Sequence, residues 1–170
     1  MRRQKLTYVI RKAQLDDLED ILTIYNQAIK TKTATADTEP QSINDRIDWF
    51  HEHTQDKYPI YVAENDGDVI GWISISPYRC GRKALSATAE ISYYVHADYS
   101  GMGIGSALIQ YVLNKCSKLG LENLFAIILD KNINSINLMK KFNFQQWAFM
   151  PNIADFDGEK CGQVYYGINL

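Results

Sequence analysis

Two stretches of this sequence carry residue types and spacings that can do chemistry. The first is Glu90 at the head of A-E-I-S-Y-Y-V, where Ile91, Tyr93 and Val95 alternate with Ser92, Tyr94 and His96. That alternation, with its β-branched and aromatic content, predicts a strand. A carboxylate on a strand and partly withdrawn from water has a raised pKa, the condition for a general base near neutrality. A glutamate so placed also serves as an ordinary salt-bridge partner or edge residue. The second stretch follows at once: Gly101, Gly103 and Gly105 at alternate positions, then Ser106 and the apolar helical pattern Ala107, Leu108, Tyr111, Val112, Leu113. Glycine permits φ > 0 and close backbone approach, and the first N–H groups of a helix have no intrahelical partner. A glycine turn feeding a helix start therefore suits phosphate, and a pyrophosphate in particular.

Two familiar phosphate motifs do not account for it. A Walker loop needs a lysine after its last glycine, and none follows here. A dinucleotide fold is closer, since strand, glycines, helix, a second strand and Asp130 are all present. Yet Ser106 stands at the third glycine position, and 96–100 is too long a lead-in. Other candidates are sparser. Arg79 and Arg82, with Lys83, can bind a carboxylate or phosphinate, Arg bidentately, but equally form a solvated basic loop. His51 and His53 lie two apart on a predicted helix and face different ways, so no metal pair is expected. His96 borders the end of the Glu90 strand. Trp72, Trp147 and Tyr165–Tyr166 read as core or interface.

Composition narrows the class. With 170 residues the chain is expected to form one domain, 1–170, burying roughly 70% of its unfolded surface. A formal net charge of −2 and 22% charged residues give no basic patch for nucleic acid or an anionic membrane. Three cysteines without C-x-x-C spacing imply neither a disulfide framework nor zinc, and fit a reducing cytoplasm. The longest apolar run, 124–129, is too short to span a bilayer, and the charged start M-R-R-Q-K lacks the apolar stretch of a signal peptide.

The elements that must position the two stretches follow from periodicity. Strands are predicted at 7–11, 60–64, 69–76, from Ala89, at 123–129, 144–150 and 164–168. Helices are predicted at 16–29, with Leu15, Leu18, Ile21, Leu22, Tyr25 and Ile29 on one side, and at 43–53, from the glycine turn to about 118, and 134–142. N-D-G-D at 65–68 is a hairpin signal, Ser42 with Asp45 a helix start, Gly120 a helix stop, and Asp157–Gly158 a turn. The unit 89–129 should be a parallel, right-handed strand–helix–strand crossover, in a mixed α/β domain with one central sheet.

Y-S-G-M-G-I-G-S-A-L at 99–108 resembles the acetyl-CoA motif [RQ]-x-x-G-x-[GA] of the GNAT superfamily of N-acetyltransferases, matched by Gly103 and Gly105 with Ser100 at the Arg/Gln position. N-I-N-S-I-N-L-M-K-K-F-N-F at 132–144 is similar to the superfamily's second cofactor segment. Nearly the whole chain takes part: I-Y-N-Q-A-I (24–29), T-E-P-Q-S (38–42), D-K-Y-P (56–59), V-A-E (62–64) and T-A-E (88–90) resemble the phosphinothricin acetyltransferase branch.

The resemblance implies an α/β GNAT fold: a mixed sheet of about seven strands flanked by about four helices, whose central strand bulges and splays from its neighbour to form the acetyl-CoA cleft. It implies acetyl transfer from acetyl-CoA, without a metal, to the α-amine of phosphinothricin, methionine sulfoximine, methionine sulfone or a similar amino acid. Glu90 is then the general base. The cofactor residues are Tyr94, Val95, Ser100, Gly101, Met102, Gly103, Ile104, Gly105, Ser106, Asn132 and Ser135, with the Val95 N–H facing the thioester oxygen. Arg79, Arg82 and Thr88 are the acceptor candidates, and a homodimer is expected. Three positions depart from the pattern. Met139 stands where many relatives have a tyrosine acid, Leu85 where R-x-A-Y has its tyrosine, and the C-terminal K-x-G-x-W-x-D is absent, with Gln163 at its acidic position. A thiol of pKa about 8.5 leaves tolerably without an acid. The same fold could instead acetylate a protein N-terminus or a polyamine, and a non-catalytic CoA sensor is the rival of another class.

Overall fold

Strand alternation and a left-handed turn start the sheet. In the computed structural model, which describes residues 6–53 and 56–170, N-D-G-D forms a tight turn with Asp66 at φ 52° and Gly67 at φ 95°. It joins β2 (Ile60–Asn65) to β3 (Asp68–Pro77), antiparallel. Two positive φ values in succession are what a two-residue hairpin needs to match the twist of its strands. β1 (Val9–Lys12) adds outside β2, and β4 (Thr88–Val95) pairs with β3 on the other side. After α3 (Ile104–Leu119), β5 (Asn123–Leu129) lies parallel to β4. The C-terminal hairpin of β6 (Gln145–Phe156) and β7 (Glu159–Asn169) completes a seven-stranded sheet in the order β1-β2-β3-β4-β5-β7-β6.

Each face of the sheet carries a core. On β3, Ile70, Ile73 and Ile75 pack with Ile104, Leu108, Ile109 and Val112 of α3 and with Ile136 and Met139 of α4 (Ile133–Lys141). On the opposite face Val69 and Trp72 pack with Leu18, Ile21, Leu22 and Tyr25 of α1 (Leu18–Lys30) and with Phe50 of α2 (Ile43–His53). The Trp72 indole N–H donates to Ile21 O at 3.0 Å, so its burial leaves no donor wasted. Gly120, φ 65°, ends α3 as predicted.

Three expectations change. The first turn of the predicted helix 16–29 is a separate 3-10 turn, Leu15–Asp17, and Leu15 is exposed. Asp17 accepts from Arg11 (2.7 and 2.8 Å) and from the Gln14 N–H (2.7 Å), which holds this turn tighter than an α-helix. The last strands are longer than predicted. β6 passes Pro151, which lacks an N–H, by shifting register between Met150 and Ala154 with Asn152 at φ 56°; an edge strand tolerates this. The third concerns the bulge expected in the central strand. The β3–β4 ladder runs in unbroken register from Gly71↔Val95 to Pro77↔Ala89, so β4 carries no register shift against β3, and the opening lies between β4 and β5, whose pairing stops at Glu90↔Phe125. The charged start at 1–5 lies outside the described residues.

Candidate active site

The parallel pairing of β4 with β5 covers only Thr88↔Asn123, Ala89↔Leu124 and Glu90↔Phe125. Beyond Glu90 the strands part, while β5 stays paired with β7 through Leu129. A groove of about 390 Å³ fills the gap, lined by Ile91 to Val95 on one side and Ala126 to Ile128 on the other, with Asn132, Ser135 and Ser100 at one end. The backbone polarity of β4 follows from its ends. Thr88 O accepts from the Tyr78 N–H, and the His96 N–H donates to Ile70 O. Even-numbered residues therefore turn their backbone toward β3, and Ile91, Tyr93 and Val95 turn theirs into the gap. The predicted Val95 N–H thus faces the groove, which Tyr94 also lines.

The groove continues into a second recess of about 480 Å³ over the glycine turn, lined by Ser100, Gly101, Gly103, Ile104, Gly105 and Ser106 with Asn134, Ser135 and Lys141. Gly101 (φ 74°) and Gly103 (φ 89°) take conformations that other residues adopt at a cost, and Gly103 is the N-cap of α3. A side chain at Gly105 would meet Leu138 at 3.2 Å, so the backbone lies bare where α3 meets α4. Lys141 Nζ donates to Ser106 Oγ at 3.1 Å, bringing a cation to this helix start. Asn132 caps α4, its Oδ1 accepting from the Ser135 N–H at 3.1 Å. Met102 is exposed and is not part of the recess wall.

The groove holds one orphaned polar group. The Tyr93 hydroxyl is buried without a hydrogen-bond partner, with Ser135 as its polar neighbour, and burial raises its pKa to about 12. An extended ligand with polar atoms and a diphosphate fits these walls: bare N–H groups and a lysine at one end, a waiting hydroxyl and free strand backbone along its length.

A chamber of about 90 Å³ lies against the other face of β4, lined by Trp72, Ser74 and Ser76 of β3, Ser92 and Tyr94 of β4, Ile21, Leu22 and Tyr25 of α1, and Arg46 and Trp49 of α2. Ser92 and Tyr94 line both chamber and groove. Glu90 sits across from Ser76 in the β3–β4 ladder, on the face that Ser92 and Tyr94 share. Burial raises its pKa above the ordinary glutamate value.

Arg46 is the chamber's cation, a residue that sequence reasoning missed. Its guanidinium lies over the rings of Tyr25 (4.9 Å) and Trp49 (5.5 Å) and donates to Asp37 at 3.0 Å. Nothing in the local sequence marks it, because the chamber forms only when α2 docks on β3. Arg79, Arg82 and Lys83 sit exposed between β3 and β4 and line neither cavity. Thr88 Oγ1 accepts from Asn123 at 3.2 Å, at the point where β4 and β5 still pair. Met139 is fully buried in the core, and His96 lies 2.9 Å from Gln27, bracing the end of β4 against α1. Among the described residues no cluster of His, Cys, Asp or Glu could hold a metal ion.

Known proteins share this arrangement. The model of the acetyltransferase (GNAT) family matches residues 17–144. A Bacillus subtilis protein provisionally named phosphinothricin acetyltransferase YwnH is 41% identical, the match covering 95% of this chain and 98% of that one. L-methionine sulfoximine/L-methionine sulfone acetyltransferase of Pseudomonas aeruginosa is 32% identical over 95% of this chain and 94% of its own. A GNAT superfamily phosphinothricin acetyltransferase from Sinorhizobium meliloti, solved in complex with AcCoA, superposes with a TM-score of 0.89 at 28% identity, covering 96% of this chain and 89% of that one. Sequence, fold and the parted strands agree: the chain belongs to the acetyltransferase (GNAT) family, in its phosphinothricin acetyltransferase-like branch.

Proposed function

We propose that this protein transfers acetyl from acetyl-CoA to the α-amine of a small amino acid or analogue of the phosphinothricin, methionine sulfoximine or methionine sulfone type. The observation that carries this reading is the pair of cavities that meet at Ser92 and Tyr94. In the recess the diphosphate lies on the α3 start, held by the N–H groups of Gly101 and of Gly103 through Ser106 and by Lys141, while those of Ser100 and Met102 already donate to Ala97 O and Tyr99 O. The pantetheine arm runs past Val95 and Tyr94, with Asn132, Ser135 and the Tyr93 hydroxyl beside it. The bound cofactor supplies the activated acetyl group.

The chain's own residues do the rest. Arg46 takes the acceptor's carboxylate or phosphinate, and its rigid fork suits either. Arg79 and Arg82, on the loop after Ser76 and Pro77, draw an anionic acceptor toward the chamber, and Thr88 keeps the strand junction in register. Glu90 removes a proton from the ammonium, and the Val95 N–H stabilises the oxyanion. With Met139 in place of a tyrosine acid, the thiolate leaves unassisted and takes its proton from water. A small chamber with a cation in its wall favours an amino acid over a polyamine or a peptide N-terminus. The chain works as one domain spanning 1–170, in the cytoplasm, as a homodimer. The exposed Trp147, Phe149, Met150 and Ile153 of edge strand β6 supply the dimer's apolar face, and sedimentation of a Phe149→Glu variant as a monomer checks it.

Free-thiol release from acetyl-CoA, measured against phosphinothricin, methionine sulfoximine, methionine sulfone, ordinary amino acids, polyamines and short peptides, tests the reading. Release with an amino-acid analogue is expected. Release only with peptides or polyamines refutes the acceptor assignment, and cofactor binding without release for any amine refutes the enzyme.

A further inference from the structure

His53 closes α2 with its ring buried between the helix and β3, only 6% exposed. One ring nitrogen, Nδ1, lies 2.7 Å from Trp49 O, and the other, Nε2, lies 2.8 Å from Ser76 Oγ. A carbonyl oxygen only accepts, so Nδ1 carries the hydrogen. Burial lowers the pKa of the ring against the pull of the Trp49 carbonyl and Glu52, and Arg46 lowers it further, so the imidazole is neutral and Nε2 is a bare lone pair. The Ser76 hydroxyl must then donate to Nε2. Its oxygen is left with lone pairs only, and Ser76 lines the chamber directly across the ladder from Glu90.

Resting on the acceptor site assigned above, we infer that His53 locks Ser76 as a hydrogen-bond acceptor, so that Ser76 Oγ and Glu90 together hold the substrate's amino group. The ammonium brings three N–H donors. One proton goes to Glu90, a remaining N–H donates to Ser76, and the lone pair this frees on nitrogen is directed at the thioester carbon. Ser76 is thus a positioning residue for the amine, and His53 acts only through it. A serine free to rotate would turn its own hydrogen toward the ammonium for part of the time.

The test compares wild type, Ser76→Ala, Ser76→Thr, His53→Phe and the Ala/Phe double variant. The readouts are KM for methionine sulfone, KM for acetyl-CoA, and a nitrogen-15 imidazole spectrum in which His53→Phe and His53→Gln assign the His53 signals. Expected are an Nδ1–H tautomer in the wild type and about a tenfold or larger rise in acceptor KM for Ser76→Ala, the acetyl-CoA KM staying within about twofold. Ser76→Thr, which keeps the hydroxyl, should stay near wild type. His53→Phe, or His53→Gln should the former not fold, should cost less than Ser76→Ala and add nothing in its presence, the non-additivity of groups acting in series. An acceptor KM unmoved by Ser76→Ala, an Nε2–H or doubly protonated ring, or an acetyl group on Ser76 after incubation with acetyl-CoA overturns the inference while leaving the acetyltransferase intact. A wild type that turns over no amine removes the reading beneath it, and the inference with it.

Discussion

Replacing Glu90 by Gln isolates the proton from everything else that residue does. The two side chains have the same shape, so the β3–β4 ladder and the packing around Ser76 are kept. A positioned general base contributes about 10²–10⁴-fold, or about 3–5 kcal/mol of barrier, and kcat/KM for the amine should fall by that factor. Acetyl-CoA affinity should stay within about twofold, because Glu90 lies outside the groove's lining, which begins on β4 at Ile91. Stability supplies an internal control. The folded pKa of Glu90 is raised, so the folded protein holds this proton to higher pH than the unfolded chain. Between the unfolded and folded values stability drops as pH rises, and above both the ionised carboxylate is a net cost. Glu90→Gln removes that cost, so its Tm near pH 8 should equal or exceed the wild type's. A catalytic loss without a Tm loss cannot be misfolding. The pH profile is the sharper assay: wild-type kcat/KM should rise through an apparent pKa above the ordinary glutamate value of 4.5, and the variant should lack that limb. A variant retaining more than about a third of wild-type kcat/KM, or keeping the limb, would refute the assignment.

Arg46→Met should raise the acceptor KM about tenfold or more and leave the acetyl-CoA KM alone, whereas Arg79→Ala and Arg82→Ala should each stay within about threefold; steady-state kinetics against methionine sulfone separates them. Gly71→Ala places a Cβ 2.9 Å from Ile104 Cγ2 and 3.2 Å from the Tyr94 carbonyl, so the first turn of α3 must shift. Overpacking of this kind costs about 1–3 kcal/mol, and calorimetry should find lower Tm together with weaker acetyl-CoA binding. Arg11→Met leaves the buried Asp17 carboxylate without the two hydrogen bonds from its half-buried cation and should cost about 1–3 kcal/mol in urea unfolding at pH 7. Burial works to raise the Asp17 pKa, but the bonds from Arg11 and the Gln14 N–H outweigh it and hold it below the usual range. That stabilisation is therefore full above the unfolded value of about 4 and is lost as pH falls further, so wild type and variant should converge in acid.

What the sequence disclosed is what neighbouring residues decide among themselves. Asp66–Gly67 makes its turn because two adjacent residues take positive φ, and the glycines at 101 and 103 carry their conformational signal openly. The apolar run 124–129 has to be covered on both faces wherever it lies, and so reads as a central strand. The helix at 43–53 was visible from Ser42, whose N–H and hydroxyl both donate to Asp45. The strand predicted at 144–150 continues past Pro151, which lacks a donor, because the edge position of β6 makes that harmless. The acceptor chamber was invisible because three separate segments build it. Arg46 in I-N-D-R-I-D-W-F looks like the polar face of any amphipathic helix, while Arg79 and Arg82 advertise charge that the fold leaves in solvent. Ser76 and His53 lie 23 positions apart and acquire meaning only through a 2.8 Å contact.

The placement of the two cavities also decides how the acetyl group must travel. A carrier on the protein would need a nucleophile where groove and chamber meet, at Ser92 and Tyr94. The thiols are elsewhere: Cys80 is exposed beyond β3, Cys116 is buried with its hydrogen on Val112 O, and Cys161 is buried on β7. Burial raises the Cys116 pKa to about 11, which keeps it protonated. Ser76 does have a histidine partner, but it lines the amine's chamber and not the cofactor's groove. At the junction Ser92 has Ser74 opposite it in the ladder, and burial raises the pKa of the Tyr94 hydroxyl and keeps it protonated. The proposed function thus calls for amine and thioester bound together, with direct transfer between them. Initial-rate plots against both substrates should intersect; parallel lines, the mark of an acetylated enzyme, would overturn the derivation from cavity geometry even with every residue role intact.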